Sequence, residues 1–237
     1  MKKLKDNVIG ILLNEEATRG VPGFLANKDT FSFSVKVKEV SGVYSRNLIE
    51  GDVTLLEAYI KAAKELENEG VKAITGNCGF LARFQQELRK VLSVPFFSSS
   101  LLLVPLIYFM LPKTQKIGII TFDSSKLSEI HFNACGWSIK DIPVVIKGLQ
   151  KKPSWAVFLE KRFSIPKYQY ERELIEVGIE IVKESPSIGA IVLECTALPP
   201  FAKALQEAIS VPIFDITTLV TFVHDALVRQ SFSKICH

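Results

Sequence analysis

An internal repeat constrains the fold of this chain more than any other feature of its sequence. Residues 71–97 and residues 188–214 align without a gap at an offset of 117 positions (195 − 78 = 117). Identical residues recur along the whole alignment, including a cysteine, Cys78 and Cys195, and the run Ser-Val-Pro that starts at Ser93 and Ser210. Repetition over this length predicts two halves that share one structural plan.

Each copy has the pattern of a strand, a turn, a helix and a second strand. Short apolar runs, such as the one at residues 190–193, are typical of parallel strands buried on both faces. Residues 8–13 and 116–121 are the predicted opening strands of the two halves. A helix is predicted at residues 52–69, with Asp52 as its cap and Gly70 at its end, and another at residues 170–184. This alternation predicts an α/β fold of two doubly wound lobes with parallel sheets, related by a pseudo-twofold axis.

Composition and charge favour a soluble globular protein. Hydrophobic residues make up 48% of the chain and charged residues 23%, and a net charge of +4 without a clear basic patch gives no sign of nucleic-acid binding. Residues 91–112 carry no charge, but prolines and serines interrupt them, so we predict a buried strand and a buried helix there rather than a membrane span. Without an export signal, a cytoplasmic location with reduced cysteines is expected.

Cys78 and Cys195 both fall on a turn from a strand into a helix. Ligands of open α/β sheets bind at such turns, outside the carboxyl ends of the strands. Amides at the start of the following helix favour a thiolate and can hold a substrate carboxylate. A twofold axis would bring both thiols into one cleft between the lobes. Cys135 and Cys236 have no equivalents in the other half and are predicted to be structural, and the four cysteines lack metal-ligand spacing.

Two thiols on opposite sides of a ligand suit one reaction in particular. Inverting a stereocentre by proton transfer needs a base on one face and an acid on the other. A thiolate and a thiol can exchange these roles for the two directions of the reaction, with no metal and no pyridoxal phosphate. The residues therefore predict cofactor-independent proton transfer between Cys78 and Cys195.

The turns around the two cysteines, GNCGF and LECTA, resemble the paired motifs of the aspartate/glutamate/hydantoin racemase superfamily. The resemblance covers nearly the whole chain. It implies racemisation or epimerisation at a carbon next to a carboxylate, and it places the helix at residues 217–232 on the first lobe. The expected lobes are residues 1–110 with 216–237, and residues 111–215. Maleate isomerase and arylmalonate decarboxylase belong to the same superfamily, so the resemblance leaves the reaction open.

Amides and small hydroxyls hold the substrate carboxylate in this superfamily. Carried over position by position, the resemblance implies substrate binding by Asn14, Asn77, Gly79, Thr121, Ser124, Ser125 and Thr196. The hydroxyls of Thr121, Ser124 and Ser125 are equally suited to capping a helix that begins there.

The chain also departs from the superfamily pattern. Gly79 and Phe80 stand where amino-acid racemases have Asn-Thr, and Ala197 stands where an acidic residue or histidine often assists. Strand alternation suggests that Glu194 faces away from the Cys195 sulfur. His131 and His224 are predicted to be structural or exposed, and Arg83 to be solvated. Phe80 favours a substrate less polar than aspartate or glutamate.

These observations lead first to a racemase or epimerase of a small amino acid or related carboxylate. A maleate-type isomerase or a decarboxylase with one nucleophilic cysteine is the second hypothesis. The third is a non-catalytic two-lobed protein that binds small acids. A small-molecule carboxylate is the expected partner, without nucleic acid or membrane, and the chain is expected to form a homo-oligomer.

Overall fold

The computed structural model describes residues 8–17, 20–160 and 165–231. The strands are β1 (Ile9–Asn14), β2 (Val35–Val40), β3 (Ala73–Gly76), β4 (Lys116–Thr121), β5 (Val144–Gly148), β6 (Ile188–Leu193) and β7 (Ile213–Phe214). The α-helices are α1 (Ser45–Glu50), α2 (Leu56–Asn68), α3 (Gln85–Val91), α4 (Val104–Met110), α5 (Glu129–Ala134), α6 (Pro153–Ala156), α7 (Lys167–Glu184), α8 (Ala202–Ile209) and α9 (Ile216–Leu227). Turns of 3-10 helix lie at Val53–Leu55, Gly79–Phe84, Ser100–Leu103 and Pro199–Phe201.

Two parallel sheets, flanked by helices, form the framework of the described chain. The first has the order β2-β1-β3 and the second β5-β4-β6-β7, and every pair of neighbouring strands is parallel. The predicted α/β class with parallel sheets is therefore confirmed. In each sheet the opening strand of the half, β1 or β4, lies between the next strand in sequence and the strand of the repeat. The order in which the chain adds strands therefore reverses at β1 and at β4. Ligands of such folds bind at this switch point, outside the carboxyl ends of the strands.

The repeat is preserved in the structure, with one sheet more complete than the other. The strands β3 and β6 precede the two cysteines, and each cysteine is followed by 3-10 helix and then by α3 or α8. The second copy adds β7 to its sheet, whereas the first contributes one bridge between Ile74 and Phe96 at that position. The side chains buried in both halves form one continuous hydrophobic core.

Local signals predicted the helix before β3 closely. The Oδ1 of Asp52 accepts a hydrogen bond from the Thr54 amide at 2.9 Å, a turn of 3-10 helix follows, and α2 continues to Asn68. Gly70 then adopts φ +89°, a left-handed conformation that glycine takes without steric cost. In the second half α7 begins at Lys167, three residues before the predicted start at Tyr170, and both ranges end at Glu184.

The helix predicted at residues 217–232 begins at Ile216 and ends at Leu227; residue 232 itself lies outside the described part of the chain. Near its C-terminal end, the His224 ring stacks on Phe33 from the first half, with ring centroids 3.5 Å apart. His224 therefore has a packing role, as the sequence suggested. The division of the chain into two lobes at residues 110 and 215 stays a prediction.

The prediction of a buried helix after residue 100 was wrong in part. Val104 and Ile107 on one face of α4 are buried, but Leu106, Phe109 and Met110 are exposed, Phe109 to 83% of its maximum. A two-turn helix with apolar residues all round buries only the face that touches the core. Across the described ranges, no helix has both the length and the apolar content needed to span a bilayer.

Candidate active site

A partly enclosed pocket lies between the two cysteine turns. Residues of both halves of the chain line it: Leu13, Ala17, Phe24, Leu25, Ala26, Ser45, Ile49, Asn77, Cys78, Gly79, Phe80, Phe122, Phe158, Leu159, Glu194, Cys195, Thr196 and Ala197. Both Cys78 and Cys195 are among them. The fold thus brings the two repeated positions to one cavity.

The two turns contact each other directly. The hydroxyl of Thr196 donates a hydrogen bond to the backbone oxygen of Asn77 at 2.5 Å, which joins the second turn to the first. Each turn is also fixed to the middle strand of its own sheet in the same way: the Asn77 amide donates to Leu12, and the Glu194 amide donates to Ile120. Because the repeat preserves these backbone bonds, both turns project toward the same cavity.

Cys78 is buried, and its environment does not favour the thiolate that the sequence predicted. Burial raises the pKa of the Cys78 thiol well above its usual value, and the neighbouring Glu194 and Cys195 raise it further. The hydrogen bond from the Phe80 amide lowers this pKa, but by less. The prediction was wrong for Cys78 because the turn places the thiol inside the core. Cys195, by contrast, is partly exposed in the pocket.

Glu194 lies in the pocket beside both thiols, contrary to the suggestion that it faces away. The strand β6 ends at Leu193, so strand alternation does not extend to the next residue. Its side chain is fully buried, and Oε2 accepts a hydrogen bond from the Thr121 hydroxyl at 2.6 Å. Burial raises the pKa of Glu194 from 4.5 to about 7, and the bond from Thr121 lowers it by less. Its repeat position, the equivalent of Asn77 (194 − 77 = 117), was the signal that could have revealed it.

Three of the predicted substrate-binding residues line the pocket: Asn77, Gly79 and Thr196. Asn14 does not. Its side chain is buried, donating to the Ser45 hydroxyl at 3.0 Å and accepting from the Tyr59 hydroxyl at 2.6 Å. The polar side-chain atoms of Asn14 are therefore engaged within the first half and do not face the pocket as lining atoms.

Thr121, Ser124 and Ser125 also lie outside the pocket lining. The Thr121 hydroxyl donates its hydrogen bond to Oε2 of Glu194. The Ser124 hydroxyl accepts a hydrogen bond from the Gln150 amide, and the Ser125 hydroxyl donates to Asp123. The alternative capping role does not hold either, because the next helix, α5, begins only at Glu129 with Ser128 as its cap.

Four phenylalanines form much of the pocket wall: Phe24, Phe80, Phe122 and Phe158. Phe80 alone was considered from the sequence. Phe122 directly follows β4, so the predicted strand at residues 116–121 could have revealed it, whereas Phe24 and Phe158 lie in connecting segments without a periodic signal. Among the described lining residues, the ionisable side chains are Glu194 and the two thiols. The cavity is therefore mostly apolar, and its acid–base groups all come from the two cysteine turns.

The remaining candidates have structural roles. His131 is buried, closes a capping box with Ser128 at the start of α5 and packs edge-on against Phe80, and burial lowers its pKa to about 4. Cys135 does not line the pocket; burial raises its pKa to about 12, and the nearby Glu194 contributes to the rise. Arg83 lies outside the pocket lining, over the Phe84 ring. Cys236 falls outside the residues that the structure describes.

The chain has the fold of the aspartate/glutamate racemase superfamily. Three solved structures illustrate the likeness. Allantoin racemase from Klebsiella pneumoniae superposes with a TM-score of 0.65 at 14% identity, over 94% of this chain and 88% of that one. For glutamate racemase from Bacillus anthracis the TM-score is 0.58 at 18% identity, over 94% and 84%. Arylmalonate decarboxylase gives 0.59 at 11% identity, over 94% and 93%. At these identities the likeness is one of fold.

In sequence the chain is similar to dimethylsulfoniopropionate lyases. It is 27% identical to the lyase of Durusdinium sp. clade D over 219 residues, which are 90% of this chain and 72% of that protein. It is 31% identical to dimethylsulfoniopropionate lyase 5 of Emiliania huxleyi over 211 residues, 82% of this chain but 42% of the relative. Against dimethylsulfoniopropionate lyase 3 of the same organism the identity is 29%, over 83% of this chain and 53% of the relative. The chain therefore spans about half the length of the two Emiliania huxleyi relatives. No protein-family model matches it.

Proposed function

We propose that the chain is a cofactor-independent lyase that removes the proton next to the carboxylate of a small acid and expels a group from the adjacent carbon. One observation carries the proposal: a single, mostly apolar pocket unites two thiols and a buried carboxyl group at the turns of the repeat. The similarity to dimethylsulfoniopropionate lyases supports elimination, in which a sulfonium group departs as a neutral thioether.

We assign the base to Cys195. Cys78 is buried in the core, where desolvation opposes the thiolate, whereas Cys195 is partly exposed in the pocket and suffers less from this cost. A thiolate at Cys195 takes the proton from the carbon next to the carboxylate. The electron pair of that C–H bond forms the new double bond, and the pair of the C–S bond leaves with sulfur as a neutral thioether. An unsaturated acid remains.

The aromatic wall suits a sulfonium. The faces of aromatic rings attract cations, and they do so more strongly where water is excluded. Phe24, Phe122 and Phe158 line the same cavity as the cysteine turns. We place the onium end of the substrate against these rings and its carboxylate at the turns. A dicarboxylic amino acid would leave its second carboxylate against these rings.

The test is release of dimethyl sulfide from dimethylsulfoniopropionate, measured by gas chromatography. We expect turnover by the wild type and a loss of about 10²–10⁴-fold in Cys195→Ser, the usual range for removing a general base. Cys135→Ala, at a buried thiol outside the pocket, is the matched control and should keep the wild-type rate if it folds. Wild-type turnover by Cys195→Ser, or no sulfide from the wild type, would contradict the proposal.

Racemisation is the second candidate, because two thiols from different halves line one pocket. In that case Cys78 returns the proton that Cys195 removes, and the reaction inverts a stereocentre. Incubation in deuterated water with chiral amino acids and hydantoins distinguishes the two: exchange of the α-hydrogen that disappears in both Cys78→Ala and Cys195→Ala supports racemisation. Elimination that survives in Cys78→Ala, without exchange of these compounds, supports the lyase.

A further inference from the structure

The two side-chain oxygens of Glu194 differ in their hydrogen bonding. Its Oε2 accepts the hydrogen bond from Thr121, and its Oε1 is buried without a hydrogen-bond partner among the described residues. The residue lines the pocket although its side chain is fully buried. Leaving a buried carboxyl oxygen unpaired is costly, so this position calls for a partner that arrives with the ligand.

Gly79 makes the space for this carboxyl group. A Cβ at position 79 would stand far inside van der Waals contact with both the backbone oxygen and Oε1 of Glu194. The absence of a side chain at Gly79, where the superfamily pattern has asparagine, is therefore matched to the presence of Glu194 in the facing turn. The two residues form one feature of the site, to which each copy of the repeat contributes one member.

Building on the proposed function, we propose that Glu194 is a catalytic residue that binds the substrate carboxylate. In its acid form it donates a hydrogen bond from Oε1 to one carboxylate oxygen of the substrate, while Oε2 continues to accept from Thr121. The substrate class is then a small acid bound by a neutral carboxyl group rather than by a cationic side chain.

The surroundings of Glu194 favour the acid form. Among the lining residues that the structure describes there is no lysine or arginine, and burial raises the pKa of Glu194 to about 7. The titratable groups around it are thiols: Cys78 on the facing turn, Cys195 on its own turn and Cys135 after α5. None of them carries a positive charge. A substrate carboxylate beside Oε1 adds a second anion and raises the pKa of Glu194 further.

The same hydrogen bond acts on the reaction. Removing the α-proton moves negative charge onto the substrate's carboxylate oxygens, so a donor aimed at them binds the transition state more tightly than the ground state. A neutral carboxyl group held by a buried site can supply such a donor at neutral pH. Keeping Glu194 neutral also removes the negative charge that would otherwise raise the pKa of Cys78.

Binding of propionate, which cannot eliminate, tests this assignment without turnover. Calorimetric titrations at pH 8 in phosphate and in Tris, whose ionisation enthalpies differ, give the number of protons taken up per bound propionate. For a carboxyl group of pKa about 7 we expect uptake of about 0.9 proton in the wild type. Glu194→Gln, whose amide still donates a hydrogen bond, should bind propionate within about threefold of wild type without proton uptake. Glu207→Gln, on the exposed face of α8, is the matched control and should behave as wild type.

A measurement on Thr121→Val keeps the inference open to failure if Glu194→Gln does not fold, and the pH profile of turnover adds a second readout if it does. Thr121→Val removes the bond that lowers the pKa of Glu194, so the pH at which propionate binding begins to take up a proton should rise. In turnover, the rate of Glu194→Gln relative to wild type should increase above pH 7, where the wild type loses its acid form.

Absence of proton uptake in the wild type, or a loss of propionate binding of more than about tenfold in Glu194→Gln, would overturn the inference. These results are independent of the proposed lyase activity. Proton uptake on propionate binding without sulfide release would leave the role of Glu194 standing and reject the sulfonium substrate. Sulfide release without proton uptake would leave the sulfonium substrate standing and reject the role of Glu194.

Discussion

Asn77 and Glu194 occupy the same position in the two copies of the repeat but have different chemistry. Both donate their backbone amide to the middle strand of their sheet, so the backbone geometry of the turns is shared. The side chains differ, one an amide and the other a carboxyl group. Strand alternation misplaced Glu194 because β6 ends one residue before it. The superfamily resemblance placed Asn77 at the site, and the repeat gives Glu194 the equivalent position in the other half.

The raised pKa of Glu194 predicts a dependence of stability on pH. A carboxyl group whose pKa is higher in the folded state stabilises the fold fully below its unfolded value of 4.5, and the contribution is lost as the pH rises through about 7. We expect the free energy of unfolding of wild type, minus that of Glu194→Gln, to fall by about 3 kcal/mol between pH 4 and pH 8. Denaturant titrations at several pH values measure it.

Subtracting the two proteins also removes the opposing effect of His131, whose pKa is lowered to about 4 and which is present in both. A difference between wild type and variant that stays constant with pH would show that Glu194 is not protonated in the fold at mild pH.

Gly79 gives a second prediction for a single residue. Gly79→Ala would push a methyl group into Glu194, so we expect a loss of about 1–3 kcal/mol in stability, the usual cost of overpacking, together with a loss of activity. Gly10→Ala is the matched control, because its Cβ would meet only side-chain methyl groups, those of Leu66 at 3.0 Å and Val71 at 3.2 Å. Thermal unfolding and sulfide release measure both variants. Equal losses in the two would mean that the contact with Glu194 has no special importance.

At the scale of secondary structure, helix boundaries were predictable wherever a local signal sets them. Asp52 and Gly70 delimit the helical segment formed by the 3-10 turn and α2. Both signals are local, because capping and left-handed turns depend on residues close in sequence. The burial of α4 was not predictable in this way, because the number of helix faces that touch the core depends on neighbours distant in sequence. The exposure of Phe109 follows from the tertiary packing alone.

The C-terminal helix α9 provides a prediction at this scale. The carboxylate of Asp215 accepts hydrogen bonds from the amides of Thr217 and Thr218, at 2.7 and 3.0 Å, as the cap of α9. Asp215→Ala should lower the free energy of unfolding by about 1 kcal/mol, and Asp215→Asn by less, because asparagine also caps well. Hydrogen exchange of the first amides of α9 reports the loss directly. Unchanged exchange in Asp215→Ala would contradict the capping role.

For the molecule as a whole, the repeat predicted the main result, that two cysteines far apart in sequence share a cavity. The prediction succeeded because duplicated strand-to-turn units place equivalent residues at equivalent sheet edges. The rest of the pocket was not predictable, since Phe24 and Phe158 lie in segments outside the repeat and without periodicity. Asn14 was carried over from the superfamily, but hydrogen bonds to Ser45 and Tyr59 use its side chain instead.

The most direct test of the central claim, removal of the proton next to the carboxylate by Cys195, uses dimethylsulfoniopropionate with deuterium at both hydrogens of that carbon. Mass spectrometry of the unsaturated acid should find one deuterium in each molecule, and turnover should be slower than with the unlabelled substrate. Cys195→Ser should give almost no product. A product that retains both deuterium atoms, or full turnover in Cys195→Ser, would contradict the account.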